Sequence, residues 1–360
     1  MLSERPETEC VHPSSWVKEA FGNPQCIHGD ICLKPYDELT KLGQIRRLRR
    51  LAENAVEQFG IRDYKLRFIK HLINTTFVLT CDRGRFLLRI HRGRSTTVHQ
   101  IKGELAWLDA LSHHTDVTVQ TPLRTPDGRM VVFGDLPDTP AFPVTILKWI
   151  TGRIIQYDRK ERDFRHLGQL IGKLHSHATR WPMASQLDRW TYDAEGIFGS
   201  QAAYPLDQVS PDVVPEEARV GLERAYKLVR ETEAQLPRTD DLFGLIHVDL
   251  SFSNILLTAR EAKPIDFDDC GYGYFLAVVL AGGFGEPNFQ SKYETVVGGY
   301  REYHPLPSEL LVHLPAFLTQ RSSSYLLVAA VRYRSFARGV WRSRLKLALE
   351  PDLFPVQWEV

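Results

Sequence analysis

A short polar motif in the second half of the chain carries residues suited to moving a phosphoryl group. Residues 247–254 read His-Val-Asp-Leu-Ser-Phe-Ser-Asn, and Asp266 follows twelve residues after Asn254. Phosphoryl transfer requires a group that orients or deprotonates the attacking hydroxyl, together with side chains that hold Mg²⁺ against the phosphates. Asp249 suits the first task, and the side-chain oxygens of Asn254 and Asp266 suit the second. The ordered set therefore predicts a catalytic loop and a metal site.

Short apolar runs flank this motif and predict the strands that hold it. We expect strands at 243–247, 254–257 and 263–266, with the polar residues on the loops at their ends. Loops supported by a rigid scaffold are common positions for catalytic groups. The motif is therefore expected to face a cleft.

The first half of the chain predicts a small, mostly antiparallel sheet with one helix packed on it. Apolar residues at three- and four-residue steps indicate helices at 41–59 and 98–112, and Gly60 is suited to end the first. Strand-like runs occur at 64–69, 75–80, 85–90, 130–133 and 143–147.

Beyond residue 150 the pattern becomes mainly helical. Helices are predicted at 163–178, 216–235, 289–303, 308–314 and 319–349, with a polar and aromatic insert at about 180–213. These patterns indicate an α+β protein. The predicted parts are an irregular N-terminal extension at 1–40, a first lobe at 41–150 and a second lobe at 151–360.

Composition narrows the class of protein and its partners. A net charge of +1, 43% hydrophobic and 25% charged residues are ordinary for a soluble globular chain, and they indicate neither a nucleic-acid nor a membrane partner. The five cysteines are odd in number and mostly far apart, which favours a reducing compartment, and their spacing with nearby histidines matches no standard zinc pattern. Because no secretory signal or membrane span is apparent, we expect a cytoplasmic protein.

Five further segments occur in an order typical of one enzyme family. They are Ile73–Val78, Phe86–Arg92, Gly103–Leu108, Thr145–Gly152 and Leu167–His175. With the motif at 247–266 they resemble the aminoglycoside phosphotransferase and choline kinase family over roughly residues 60–340. In that family the segments form a nucleotide-covering hairpin, a strand with a phosphate-binding cation, a helix with its ion-pair partner, a hinge and the next helix.

The resemblance implies a two-lobed, protein-kinase-like fold and an ATP- and Mg²⁺-dependent kinase that acts on a small-molecule hydroxyl. Its first lobe would be a small antiparallel sheet and its second lobe mainly helical. By position, the resemblance implies that Asp249 is the catalytic base and that Asn254 and Asp266 are the metal ligands. It implies that Arg89 is the cation at the α- and β-phosphates and that Glu104 orients Arg89. It also implies that the adenine-binding hinge includes Leu147, Trp149 and Ile150.

Some positions depart from the family pattern. Val248 stands where the family usually has glycine, and residues 71–77 contain no glycine for backbone contacts to phosphate. Val278 stands where the family commonly has an aspartate that braces the catalytic loop. These departures predict a looser loop, a substituted anchor or reduced activity.

The acceptor stays open at the level of sequence. Asp268, Asp269 and Glu286 could supply acid for a polycation such as an aminoglycoside. The segment 319–349 is instead rich in arginine and contains no acid, so it would favour an anionic or neutral acceptor if it lined the cleft.

Two other functions are also consistent with the sequence. A Ser/Thr protein kinase of the bacterial stress-response type shares the expected fold, although no recognisable activation segment follows Asp266. A nucleotide-binding pseudokinase with a regulatory role would fit Val278 and the hairpin without glycine. The intact set of Asp249, Asn254 and Asp266 favours the enzyme.

Overall fold

A computed structural model describes residues 34–93, 96–136, 139–154, 159–279 and 289–333. The first half holds helices α1 (Lys41–Gln58) and α2 (Val98–His114) and an antiparallel sheet of order β1-β2-β3-β5-β4. Its strands are β1 (Tyr64–His71), β2 (Thr75–Cys81), β3 (Gly84–Ile90), β4 (Val132–Leu136) and β5 (Thr139–Lys148). All five strands and both helices confirm the predicted elements, with ends shifted by a few residues.

Local chemistry sets the ends of the two helices. The Thr40 hydroxyl accepts a hydrogen bond from the Gly43 N–H at the start of α1. Gly60 follows the end of α1 with φ +70°, a conformation that glycine adopts without steric cost. Thr97 and Gln100 form a reciprocal capping box at the start of α2.

The sheet is covered on both faces, which differs from the single packed helix that the sequence predicted. On one face, Leu88 and Ile90 of β3 join the apolar side of α1 in one buried cluster. On the other face, Leu87 packs against the cluster that contains the apolar side chains of α2. Alternate residues of a strand point to opposite faces, so the same alternation directs Arg89 toward α2.

The second half is mainly helical, with two small sheets. The helices are α3 (Glu161–Arg180), α4 (Ala194–Phe198), α5 (Glu216–Glu233), α6 (Leu276–Val279), α7 (Phe289–Arg301) and α8 (Leu314–Tyr333). One small sheet has the order β6-β10-β7, from β6 (Thr191–Tyr192), β10 (Gly271–Tyr274) and β7 (Phe243–Ile246); the other pairs β8 (Ile255–Leu257) with β9 (Ala262–Pro264).

Helix α3 crosses α7 at very short range. A Cβ atom at Gly168 would collide with the backbone carbonyl of Val296, and one at Gly299 would collide with the carbonyl of Arg165. Glycine is therefore required on both helices at this crossing. Helix α3 also contacts strands β7 and β9 of the two small sheets, which border the polar motif.

Several predictions for the second half need correction. Residues 308–314 were expected to be a helix, but Ser308–His313 form a 3₁₀ turn that leads into α8. Helix α8 begins at Leu314 rather than at 319, and residues 334–349 of the predicted helix lie outside the described part. Strands β6 and β10 were not predicted. Within the described ranges, no helix is long and apolar enough to cross a membrane.

A partly buried carboxylate connects the insert to α8. Glu233, the last residue of α5, accepts hydrogen bonds from the Ala194 N–H at 3.0 Å and from Nε2 of Gln320 at 3.2 Å. Burial raises the pKa of Glu233 to about 7, although the hydrogen bond from Ala194 opposes the rise. The folded protein therefore retains a proton here at a pH where the unfolded chain releases it.

We expect Glu233→Gln to flatten the dependence of stability on pH. The stabilisation from a raised carboxyl pKa is complete below the unfolded value of 4.5 and is lost as pH rises through about 7. The free energy of unfolding of the wild type should thus fall across this window. At pH 8 the free energy of unfolding of Glu233→Gln should be higher than that of the wild type by about 1–3 kcal/mol. Urea denaturation at pH 5 and pH 8 measures both. Glu231→Gln, at an exposed position on the same helix, is the control, and equal pH dependence in wild type and Glu233→Gln would contradict the prediction.

Candidate active site

The predicted catalytic loop, residues 247–254, begins where β7 ends and is held by its own polar side chains. Nδ2 of Asn254 donates to the backbone carbonyl of Asp249 at 2.9 Å and to its Oδ2 at 2.8 Å. A 3₁₀ turn at Phe252–Asn254 then leads directly into β8. The structure therefore brings together Asp249 and Asn254 as the sequence predicted. Because the amide nitrogen faces Asp249, the metal-binding atom of Asn254 would be Oδ1.

A buried histidine joins the catalytic loop to the segment that carries Asp266. Nε2 of His247 lies 3.0 Å from the carbonyl oxygen of Ile265, and a carbonyl can only accept, so this nitrogen carries the proton. Burial lowers the pKa of His247 to about 4, so the ring is neutral at physiological pH. Asp266 adopts φ +67°, which aspartate tolerates better than most residues. This bond sets Asp266 beside the catalytic loop.

The predicted ion pair between β3 and α2 is present and reaches Asp266, the carboxylate that the sequence predicts as a metal ligand. Nη1 of Arg89 lies 2.8 Å from Oε1 of Glu104, and both side chains are almost fully buried. Nη2 of Arg89 lies 3.3 Å from Oδ1 of Asp266. Burial alone would lower the pKa of Arg89, but the carboxylates of Glu104, Asp268 and Asp266 raise the pKa overall. Arg89 is thus a permanent positive charge at the inner end of the cleft.

The hairpin between β1 and β2 adds two contacts whose roles the sequence did not reveal. Nζ of Lys70 lies 3.8 Å from Oδ2 of Asp266, and Nδ2 of Asn74 donates to Oδ2 of Asp268 at 3.0 Å. Burial would raise the pKa of Asp266, but Arg89 and then Lys70 hold it below its usual value. Asp266 therefore stays ionised, as a metal ligand requires.

Arg189 holds the turn that follows Asp266 by hydrogen bonds to backbone carbonyls. Its guanidinium donates to the backbone carbonyls of Cys270 and Asp268, each at 2.5 Å, and to that of Gln100 in α2 at 2.8 Å. It is almost fully buried, so this one side chain ties α2 to the turn after Asp266. Its sequence position, inside the irregular insert, gave no signal of this function.

The hinge follows β5, as predicted, with one restriction on its backbone. Leu147 and Ile150 are buried and Trp149 is partly buried. The N–H of Trp149 donates to the carbonyl of Arg85 at 3.0 Å, so this group is already occupied within the protein. Adenine could therefore not use the Trp149 N–H without breaking that bond.

Asp249 is one of the residues that line a cavity of about 340 Å³. Its wall is mainly apolar and aromatic, with Trp190, Tyr192, Tyr204 and Tyr325 among the lining residues. Asp249, Asp269 and Arg321 supply the charges of the described lining. This volume lies within the range of small-molecule sites.

Among the described side chains of α8, Arg321 is the arginine that lines this cavity. Its Nη1 donates to the backbone carbonyl of Val248 at 2.5 Å, and its Nη2 lies 3.3 Å from Oδ1 of Asp249. The remaining arginines of 334–349 and Glu286 lie outside the described residues. Among the described residues, Arg321 is the one arginine that lines the cavity, so an arginine-rich wall from 334–349, which would favour an anionic acceptor, stays a prediction.

Asp249 combines access to the cleft with a favourable basicity. Its side chain is 52% exposed. Removal of water by its surroundings still raises the pKa of the carboxyl; Arg321 opposes this effect and Asp266 adds to it. A raised pKa brings a carboxylate closer to the value that suits a general base.

Comparisons with known proteins identify related phosphotransferases and kinases. The sequence profile of the phosphotransferase enzyme family (APH) matches residues 65–304. Amicoumacin kinase of Bacillus subtilis (strain 168) is 24% identical over 300 residues, covering 79% of this chain and 84% of that protein. An uncharacterised protein of Deinococcus radiodurans is 27% identical over 297 residues, covering 79% of this chain and 83% of that protein.

Solved structures share the fold over most of its length. The microcompartment-associated aminopropanol kinase is 27% identical, with a TM-score of 0.69 and coverage of 84% of this chain and 94% of that one. Amicoumacin kinase hAmiN, solved with AMP-PNP, Ca²⁺ and Ami, is 20% identical, with a TM-score of 0.70 and coverage of 86% and 96%. These similarities confirm the predicted α+β, two-lobed, protein-kinase-like fold.

Proposed function

The chain belongs to the phosphotransferase enzyme family and acts on hydroxyl groups of small molecules; from this premise we propose that Asp249 is its catalytic base. In the proposed reaction the acceptor oxygen attacks the γ-phosphorus of ATP, its proton passes to Asp249, and the bond from that phosphorus to the ADP oxygen breaks. One observation supports this role above all. Asp249 lines the acceptor-sized cavity, and its neighbour His247 is hydrogen-bonded to the segment that carries Asp266.

We propose that Asn254 and Asp266 hold Mg²⁺, which would bridge and neutralise the phosphates when bound. Mg²⁺ commonly uses one or two protein oxygens and completes its shell with phosphates and waters. The ionised carboxylate of Asp266 and the amide oxygen of Asn254 are ligands of this kind. Among the described residues, no cluster of three or more His, Cys, Asp or Glu side chains offers a complete protein cage, which agrees with a metal shared with the nucleotide.

We propose that two cations near Asp266 bind the triphosphate of ATP. Arg89 is fixed by Glu104 at the inner end of the cleft, whereas Lys70 is about half exposed on the hairpin above Asp266. We assign Arg89 to the α- and β-phosphates. Lys70 is long and only loosely paired at 3.8 Å, so it can turn from Asp266 to a phosphate oxygen.

The described lining of the cavity supports a proposal for the class of acceptor. Its two carboxylates and one arginine give the described lining a net charge of −1, and the arginine already contacts Asp249. Aromatic faces attract cations. We therefore propose an alcohol that also carries an amino group and an apolar body, with the amine near Asp269 and the hydroxyl at Asp249. Aminopropanol, which names one structural relative, is an alcohol of this class.

Matched pairs of acceptors test this proposal. ADP formation should be measured with amino alcohols, with the same alcohols lacking the amine, and with hydroxy acids of similar size. We expect kcat/KM to be highest for the amino alcohols. Phosphorylation of a generic protein substrate instead would support the protein kinase, and nucleotide binding without turnover on any acceptor would support the pseudokinase.

Asp269→Asn should remove the preference for an amine. Loss of one charged hydrogen bond is expected to lower kcat/KM for amino alcohols by about 10-fold and to leave the deaminated alcohols nearly unchanged. Asp212→Asn is the control, because Asp212 is exposed in a surface turn outside the cavity lining. An equal loss with both acceptor types would show that Asp269 does not recognise the amine.

A further inference from the structure

The residue before the proposed base has an unfavourable backbone conformation. Val248 adopts φ +65°, in the left-handed region. A β-branched side chain is strongly disfavoured there, and glycine is the residue that normally occupies it. The conformation persists only if surrounding contacts hold it in place. Because Asp249 follows directly, relaxation of Val248 would move the carboxylate.

One contact to this residue comes from a distant part of the chain. The Arg321 guanidinium donates to the Val248 carbonyl and also contacts the Asp249 carboxylate. Helix α8 offers a rigid base for this contact, because the neighbouring side chains of Gln320, Ser322 and Ser323 are buried. A single planar group thus holds both the strained peptide and the side chain that follows it.

The resemblance implies, at the position of Val278, an aspartate that braces the catalytic loop, and a valine cannot take that role. Val278 is buried in the core, and its side chain has no polar atom to offer the catalytic loop. Within the loop, the N–H of Asp249 donates to the His247 carbonyl and the N–H of Ser251 donates to the Asp249 carbonyl. The N–H groups of Asp249 and Ser251 are thus satisfied within the loop, and a donor from outside the loop acts on the carbonyl of Val248.

We propose that Arg321 is a positioning residue that compensates for both Val248 and Val278. An aspartate at position 278 would hold the loop by accepting hydrogen bonds, whereas Arg321 holds it by donating them. The guanidinium on α8 fixes the carbonyl of the strained peptide and thereby sets the position of Asp249. This inference rests on the proposed role of Asp249, but the contact itself can be tested without turnover.

Kinetics of Arg321→Met give the first test. Small displacements of a catalytic group can cost about 100-fold in rate, so we expect kcat to fall by about 10- to 100-fold while KM for ATP stays within about twofold. Arg301→Met is the matched control, because Arg301 also donates to a loop carbonyl, that of Leu306 at 2.9 Å, outside the cavity lining. A kcat unchanged in Arg321→Met, or equally reduced in Arg301→Met, would overturn the proposal.

Combining Arg321→Met with a substitution at Val248 distinguishes a positioning role of Arg321 from a role in general packing. In a Val248→Gly background the backbone conformation no longer carries strain, so Arg321→Met should lower kcat by a smaller factor than in the wild type. Millimolar guanidinium should also partly restore kcat of Arg321→Ala, but not that of Asp249→Ala. An equal or larger effect in the glycine background, together with no rescue by guanidinium, would exclude the compensating role.

Hydrogen exchange distinguishes failure of this inference from failure of the proposed function. Arg321→Met should speed amide exchange in a peptide covering residues 247–254, whether or not an acceptor is known, and Arg301→Met should not. Unchanged exchange in Arg321→Met would overturn the brace even if Asp249 proves catalytic. Faster exchange in an enzyme that does not need Asp249 would retain the brace and reject the proposed base.

Discussion

Asp249→Asn is expected to lower kcat by about 10²- to 10⁴-fold while ATP still binds. Loss of a positioned general base typically has an effect of this size. Asparagine keeps the shape of the side chain but cannot take the proton of the acceptor hydroxyl. Its amide group would also face a donor, because Asn254 donates to one carboxylate oxygen and Arg321 contacts the other. Single-turnover kinetics with saturating ATP and acceptor, beside nucleotide binding by calorimetry, measure the two effects separately.

Asp240→Asn provides the comparison for this prediction, because Asp240 is exposed in the turn before β7. It should keep the activity and stability of the wild type. If Asp249→Asn retained more than about a tenth of the wild-type kcat, the proton would have another acceptor and the assignment of Asp249 would be wrong. If nucleotide binding were lost as well, the substitution would have disturbed the loop, and Asp249→Ala would be needed to separate charge from shape.

The sequence was most informative where the site depends on local spacing. Asp249, Asn254 and Asp266 lie on loops between consecutive short strands, so a few hydrogen bonds in one supersecondary unit bring them together. Arg89 and Glu104 are also close in sequence, and strand alternation explains why Arg89 faces α2. Their 2.8 Å contact agrees with the pairing that the resemblance implied.

Long-range contacts could not be predicted in the same way. Arg321 lies in the sequence segment 319–349, which contains several other arginines, and nothing local marks the one that reaches Val248, 73 residues away. Lys70 belongs to a strand with few buried residues, so the alternation of β1 did not assign it to the cleft. In both cases tertiary packing selects the residue.

Strand β10 shows how tertiary packing can override local preference. Its sequence, Gly271-Tyr272-Gly273-Tyr274, has two glycines, which weaken an isolated strand. A Cβ atom at Gly271 would lie only 2.5 Å from the carbonyl oxygen of Trp190, so close strand packing requires glycine there. Pairing with β7 on one side and β6 on the other then stabilises the strand.

Arg89→Met should have the largest effect on stability, because it leaves the buried Glu104 carboxylate without its partner. Removal of one member of a buried ion pair typically costs about 3–5 kcal/mol. The same change also removes the cation expected at the α- and β-phosphates, so KM for ATP should rise and kcat should fall. Urea denaturation and steady-state kinetics on the same preparation measure the structural and functional losses.

The double variant Arg89→Met/Glu104→Met separates these two losses. Replacing both members of a buried pair by apolar side chains is often neutral or stabilising, so most of the lost stability should return. Activity should not return, because the phosphate-binding cation is still missing. Arg165→Met is the control: its pair with Glu302 has the same 2.8 Å separation but is exposed, so less than about 1 kcal/mol should be lost. Recovery of ATP turnover in the stable double variant would show that Arg89 supports the fold without contributing to nucleotide binding.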